Sequence, residues 1–258
     1  MKRSLFLLMV ALMVLTPSCC RKRHKPDDMV TPRPEAVDMG VVVDGKKVLW
    51  ASFNLGASNE NELGDYYAWG EVITYYSSLD PLQWRKRNPA DENELRYDWG
   101  SYIYAHGAGD KLTKYCVNSY YWDGEGEMDN KIKLDLEDDA AHVNLGGKWR
   151  IPSVADFKAL SDLRKNEDYQ WSIDKAGLHI SRISTGASLF FPVAGTFSSE
   201  GYGAVYSARY WLSETAPDLC NEAKCIGFSQ YTSLDDDLTE GCCARFLGFS
   251  IRPVMYEE

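Results

Sequence analysis

After position 175 the chain breaks into five short strand-like runs, at 178–183, 189–194, 204–213, 225–231 and 246–255, separated by turns. One well-specified helix precedes them. Ser153 is a good N-cap behind Pro152, and Asp156 places a carboxylate near the positive end of the helix. Val154, Phe157, Leu160 and Leu163 recur at three-residue spacing, which leaves Lys158 and Asp162 on another face. A shorter helical turn is expected over 138–143, stopped by Gly146-Gly147. Helices early and strands late specify an α+β domain, and no repeat at solenoid or propeller spacing competes with that reading.

The body opens on a hairpin. Val41-Val42-Val43 and Lys47-Val48-Leu49-Trp50 flank Asp44-Gly45, a strong two-residue turn signal. Residues 72–135 have weak periodicity, many aromatics and many charges, and read as long loops with short elements, an insertion draped over the core. The roughly 220 residues after position 38 suffice for one sizeable core.

At the start, Lys2 and Arg3 precede an unbroken apolar run over 5–15. This fits a secretory leader and falls short of the ~20 apolar residues of a spanning helix. Ser18-Cys19 resembles a lipoprotein processing site, which makes 1–18 a signal peptide and Cys19 the lipid-bearing first residue. Thr16 stands where Leu is usual, Cys20 is a competing position, and a plain secreted protein cleaved nearby is the alternative. Residues 19–38 form a tether, with five contiguous cations from Arg21 to Lys25 and Pro26, Pro32 and Pro34 holding it extended. The formal charge is −10, and it becomes −12 when Lys2 and Arg3 leave with the leader. Nucleic acid is therefore not an expected partner. The expected partners are the membrane, through the lipid, and a glycan, peptide or protein ligand.

Sites are sparsely marked. Cys116, Cys220, Cys225, Cys242 and Cys243 in the body are disulfide candidates in an oxidising compartment. Cys242 and Cys243, adjacent on a strand, should face opposite ways, with one of them meeting Cys220 or Cys225. Tyr210, Trp211 and the acidic turn Asp235, Asp236, Asp237 are candidate ligand contacts. That turn could hold a hard cation, yet no cofactor and no metal is expected. His106, His142 and His179 are scattered, and no metalloprotease, nucleophile-elbow or phosphate-loop motif occurs. Glu137 with Asp139 offers an acid pair that helix-end solvation explains better than glycosidase chemistry.

Four segments in order carry a resemblance: 50–57 (WASFNLGA), 64–71 (GDYYAWGE), 138–141 leading into 149–153 (DDAA, WRIPS), and 248–254 (GFSIRPV). Over residues 40–255 the chain resembles the Fibrobacter succinogenes major paralogous domain. The resemblance implies a C-type lectin-like fold, two helices on a twisted, loop-rich antiparallel sheet whose termini meet, as in envelope lipoproteins and adhesin-like surface proteins of unsettled activity. The role expected here is non-catalytic ligand binding or adhesion. A single such domain would span 39–258. The fold also houses copper-dependent formylglycine-generating oxidases, and Cys220 with Cys225 stands at the spacing of their Cu(I) dithiolate. Their tryptophan-bearing motif is replaced by Ala155-Asp156-Phe157, so that resemblance implies an enzyme only as the alternative. A structural subunit of a surface assembly, joined through strand edges, is a third reading.

Overall fold

The computed structural model describes residues 33–74, 97–216, 218–231 and 238–257. The segment expected as a leader, Cys19, Cys20, most of the segment expected as a tether, and Asp235, Asp236 and Asp237 lie outside them. Strands β1 (Ala36–Val43) and β2 (Lys46–Ala51) pair antiparallel across Asp44 and Gly45, whose φ angles of 50° and 75° are those of a primed hairpin turn. β1 begins at Ala36. Between Asp38 and Val41 the ladder slips at a bulge. There Gly40 takes φ 74° and donates its N–H to Asp38 Oδ1 at 2.7 Å.

Strand β11 (Val254–Glu257) joins the far side of β2, giving the order β1-β2-β11. Lys47 ties both neighbours, at 3.1 Å to Asp38 and 2.7 Å to Glu257. The first and last strands of the described body thus share one sheet.

Helix α1 (Ala140–Leu145) is capped by Asp139, whose Oδ1 accepts from Ala141 and His142 N–H. Gly146, at φ 71°, ends it. Helix α2 (Val154–Asp162) starts at Ser153 in a reciprocal capping box with Asp156. Phe157 and Leu160 are its buried apolar residues, and Val154 and Leu163 pack partly buried beside them. Arg150 clamps Asp156 with two hydrogen bonds, at 2.6 and 3.0 Å. Asp156 is fully buried; burial alone would raise its pKa, but Arg150 and Ser153 outweigh it and hold the carboxyl below its ordinary value.

Two three-stranded antiparallel sheets and a small hairpin complete the fold. One sheet joins β3 (Tyr169–Ile173), β4 (Gly177–Arg182) and β5 (Ser188–Pro192). The hairpin is β6 (Thr196–Ser198) with β7 (Gly201–Gly203). The other sheet joins β8 (Ser207–Thr215), β9 (Glu222–Ser229) and β10 (Thr239–Ala244). The architecture is α+β, mostly antiparallel sheet with few helices. Of the expected 246–255 strand, only its last part forms as β11. Upstream, Gly248, Phe249 and Ser250 make isolated bridges to Phe197, Tyr67 and Tyr210. A glycine and Pro253 weaken any continuous ladder there.

The main core lies between the sheets and α2, with Trp50, Phe157, Phe191, Tyr210 and Phe228 among its members. A second core forms around Tyr67, Trp69, Tyr115, Trp211 and Phe249. Between 97 and 135 the insertion forms no regular strand or helix, but it is built into the core rather than draped over it. Tyr97 and Tyr102 donate their hydroxyls to the carbonyls of Tyr66 and Trp69, at 2.6 and 2.8 Å, while Tyr104 donates to Asp138 Oδ1 at 2.7 Å. The first two hydroxyls satisfy carbonyls in a segment that lies outside any named strand.

Arg252 locks the motifs together. Its guanidinium is buried and donates to Asn54 Oδ1 (2.9 Å) and to the carbonyls of Ala51 (3.1 Å), Ser52 (3.0 Å) and Phe190 (2.5 Å). It also lies over the Phe191 ring at 4.7 Å. Burial pulls its pKa down to about 10, so it stays charged at neutral pH.

Replacing the guanidinium by an apolar chain would strand these acceptors. Arg252→Met is expected to lower unfolding free energy by at least about 3 kcal/mol in urea titration. A second expectation concerns acid. The Asp156 pKa is lowered on folding, so its pairing stabilises fully above the unfolded value of 3.8 and fades as pH falls through the depressed one. Arg150→Met should cost about 3 kcal/mol at neutral pH and distinctly less in acid. An equal loss at both would contradict the pairing.

Candidate functional site

The two aromatic residues nominated from sequence are interior. Tyr210 donates its hydroxyl to the Pro192 carbonyl at 2.8 Å and packs its ring edge-on against Phe191 at 5.5 Å. Burial, first among the causes, pushes its pKa up to about 12. Trp211 donates its indole N–H to the Tyr67 carbonyl at 2.7 Å and stacks on Phe249 at 4.2 Å. Neither side chain reaches the surface. Both are corrected from ligand contacts to core: Tyr210 faces the main core and Trp211 the second, so β8 is covered on both faces.

What the same region does expose is a different pair. Tyr206, just before β8, is 60% exposed, and Tyr231, just after β9, is 77% exposed. Their ring centroids lie 6.2 Å apart at 52°. Pairing of Ser207 with Ser229 brings the strand ends together, and Gln230 N–H donates to the Tyr206 carbonyl at 3.0 Å. A turn with Ala204 at φ 50°, closed by Ser207 N–H to the Ala204 carbonyl at 2.8 Å, sets the direction of Tyr206. Two phenols side by side offer an apolar face with polar tips, which suits the alternating CH and OH surface of a sugar or the edge of a peptide. The signal in sequence was the glycine-flanked segment 201–206, ending in an aromatic at a turn.

Acidic groups gather elsewhere. Carboxylate oxygens of Asp135, Glu137 and Asp138 lie within 4.8 Å of one another. Lys114 already supplies the cation: its ammonium contacts Asp138 directly, Glu137 at 3.2 Å and Asp135 at 3.9 Å, and Lys131 adds a contact to Asp135 at 2.6 Å. Burial opposes ionisation of Asp138, but Lys114, Tyr115 and Tyr104 together hold its pKa below the ordinary value. This is an ion-paired support for the insertion. Asp139 is equally occupied, since beyond its two cap contacts its other oxygen accepts from Ile151 N–H at 2.8 Å. Burial raises its pKa. Glu137 and Asp139 thus serve separate structural ends.

The histidines are dispersed. His106 sits exposed 3.0 Å from Asp123, His142 lies on α1, and His179 stacks on Phe190 at 4.5 Å.

The cysteines sort differently from the copper reading. Cys225 Sγ is 3.5 Å from Cys243 Sγ, which agrees with the expected meeting across strands. Cys220 instead packs with Cys116. The two thiols that a dithiolate site would share have different sulfur neighbours. Cys242, adjacent to Cys243, lies opposite Lys224. Among the described residues, no helix is long and apolar enough to cross a membrane. Comparison of the chain with protein-family models, curated proteins and solved structures finds no match.

The contrast between core and surface aromatics gives a direct check. Trp211→Ala should cost about 3–5 kcal/mol, whereas Tyr206→Ala and Tyr231→Ala should each stay within about 0.5 kcal/mol of the parent. Thermal melts of the three variants would measure this.

Proposed function

We propose that this protein is a non-catalytic, lipid-anchored component of the cell envelope. Its body is read as a C-type lectin-like domain of the Fibrobacter succinogenes major paralogous type, presenting surface aromatics to a glycan or protein partner. One observation carries the reading: both ends of the body lie in one sheet, β1-β2-β11, with two short helices packed on antiparallel strands. Joined termini and a helix pair are what a display scaffold of this kind calls for, because binding loops can then vary without disturbing the attachment point.

The resemblance motifs support the same view through what their residues do. Asn54, Asp65, Trp69, Ser153 and Arg252 are all buried. Gly56 and Gly64, at φ 83° and 75°, press so closely on Asp65 and Leu55 that a Cβ would lie 2.3 Å from one and 2.5 Å from the other. Motifs spent on packing and close backbone approach leave recognition to other surfaces. Tyr206 and Tyr231 are the contact residues proposed, with attachment through Cys19.

Full-length protein in detergent, applied to a glycan array, should retain a defined set of sugars. Tyr206→Ala with Tyr231→Ala should lose that set while the melting temperature holds. Fatty-acid labelling should disappear in Cys19→Ala. Stoichiometric Cu(I) binding that requires both Cys220 and Cys225 would instead establish the oxidase alternative.

A further inference from the structure

Four of the five cysteines in the body stand in two pairs, each built by surrounding structure. In the first, Asp129 fixes the backbone of the insertion by accepting the N–H groups of Tyr115 (2.6 Å) and Cys116 (2.9 Å). Asn130 N–H closes back on the Cys116 carbonyl at 3.1 Å. The Cys220 sulfur, arriving from the β8–β9 connection, accepts Val117 N–H at 3.3 Å and lies within hydrogen-bonding reach of the Cys116 thiol. Both side chains are fully buried beside Leu112.

In the second pair, Cys225 on β9 lies directly across from Gly241 on β10, and Cys243 lies two residues further along the same face. Gly241 has no side chain to separate the sulfurs: a Cβ built there would lie 3.9 Å from Cys225 Sγ. The intervening Cys242 points to the opposite face, against Lys224, which is itself held by Glu240 at 2.7 Å. The hydrogen bond from the Cys225 thiol, aided by Arg209, outweighs burial and favours the thiolate of Cys243, the form that attacks a disulfide.

We propose that Cys116 with Cys220, and Cys225 with Cys243, are disulfide-forming pairs, and that Cys242 stays a free thiol. Each bridge forms by thiol–disulfide exchange with a disulfide oxidant, either a protein dithiol catalyst in its oxidised form or oxidised glutathione. One cysteine thiolate attacks the oxidant and expels one of its thiols. The second cysteine then displaces the other. Two S–H bonds are lost, one S–S bond is gained, and the two electrons and two protons leave on the reduced oxidant. The first bridge would staple the insertion to the β8–β9 sheet, and the second would lock β10 onto β9. Bridging inside the cell rests on the envelope location proposed above, whereas the pairing itself does not.

The test separates these. Full-length protein is reduced, unfolded, refolded in detergent with a mixture of reduced and oxidised glutathione, alkylated and digested for mass spectrometry. The expected products are linked Cys116–Cys220 and Cys225–Cys243 peptides, each lighter by two hydrogens, with alkylated Cys242. Cys116→Ser should free Cys220 alone and leave the Cys225–Cys243 link intact. A dominant Cys220–Cys225 or Cys242-containing link would overturn the pairing, as would alkylation of all four paired positions. The same peptide map is then taken from protein recovered from cell envelopes and alkylated at harvest. Links there support both the pairing and the location. Free thiols there, with links formed in glutathione, uphold the pairing and overturn the location.

Discussion

A buried charge without a carboxylate beside it is an expensive thing to place in a protein interior. Arg252 is tolerated because its planar guanidinium donates four hydrogen bonds to an array of neutral oxygens, and a ring lies beneath the plane. The array draws on the backbone at the end of β2, on Asn54 and on the middle of β4's partner strand, β5. Segments nearly two hundred residues apart in sequence are thereby held in one geometry. Most of what surrounds it follows: β11 lies on β2 because Arg252 pins the turn before it, and Asn54 reaches both Leu63 and Tyr210 from the same fixed position. A lysine could carry the charge but not this planar pattern.

The insertion solves a related problem by other means. The segment 66–70 has little regular ladder and must still satisfy its carbonyls, and the insertion supplies phenol hydroxyls from Tyr97 and Tyr102 for that purpose. Tyr97 and Tyr102 also belong to a further buried cluster with Tyr66 and Phe197, and Tyr102 meets Tyr104 edge-to-face at 5.8 Å. The abundance of tyrosine in the chain therefore has a structural cause. Aromatic content alone did not distinguish this role from ligand binding.

Local signals in the sequence were readable where one short segment decides the outcome. Asp44-Gly45, Ser153 with Asp156, and Gly146 each placed a turn, a start or a stop close to where it is found. Strands β4, β5, β8 and β9 were anticipated with shifted ends. β10 was anticipated only as a strand bearing Cys242 and Cys243, without bounds, because Thr-Glu-Gly-Cys-Cys-Ala has weak strand preference and is held by β9 and not by its own composition. Tyr210 and Trp211 misled for a specific reason. Alternation along a strand signals one exposed face only if the other side of the sheet is open, and here two cores sandwich β8. The exposed tyrosines were less visible because their exposure comes from a turn and a strand end, which carry no periodicity. Which cysteines meet was likewise set by the register of β9 on β10, a quantity that sequence spacing does not contain.

The slip in the first strand has a meaning beyond its own geometry. In the β1-β2-β11 sheet, β1 is a border, with one row of amides and carbonyls facing away from its partner. A flat border of Val-rich sequence would be an inviting template for another molecule's backbone. The kink at Gly40, with Asp38 drawn back over it and joined to Lys47, twists that row out of line and sets charge along it. A molecule crowded side by side with its own kind would thereby be discouraged from zipping into fibres.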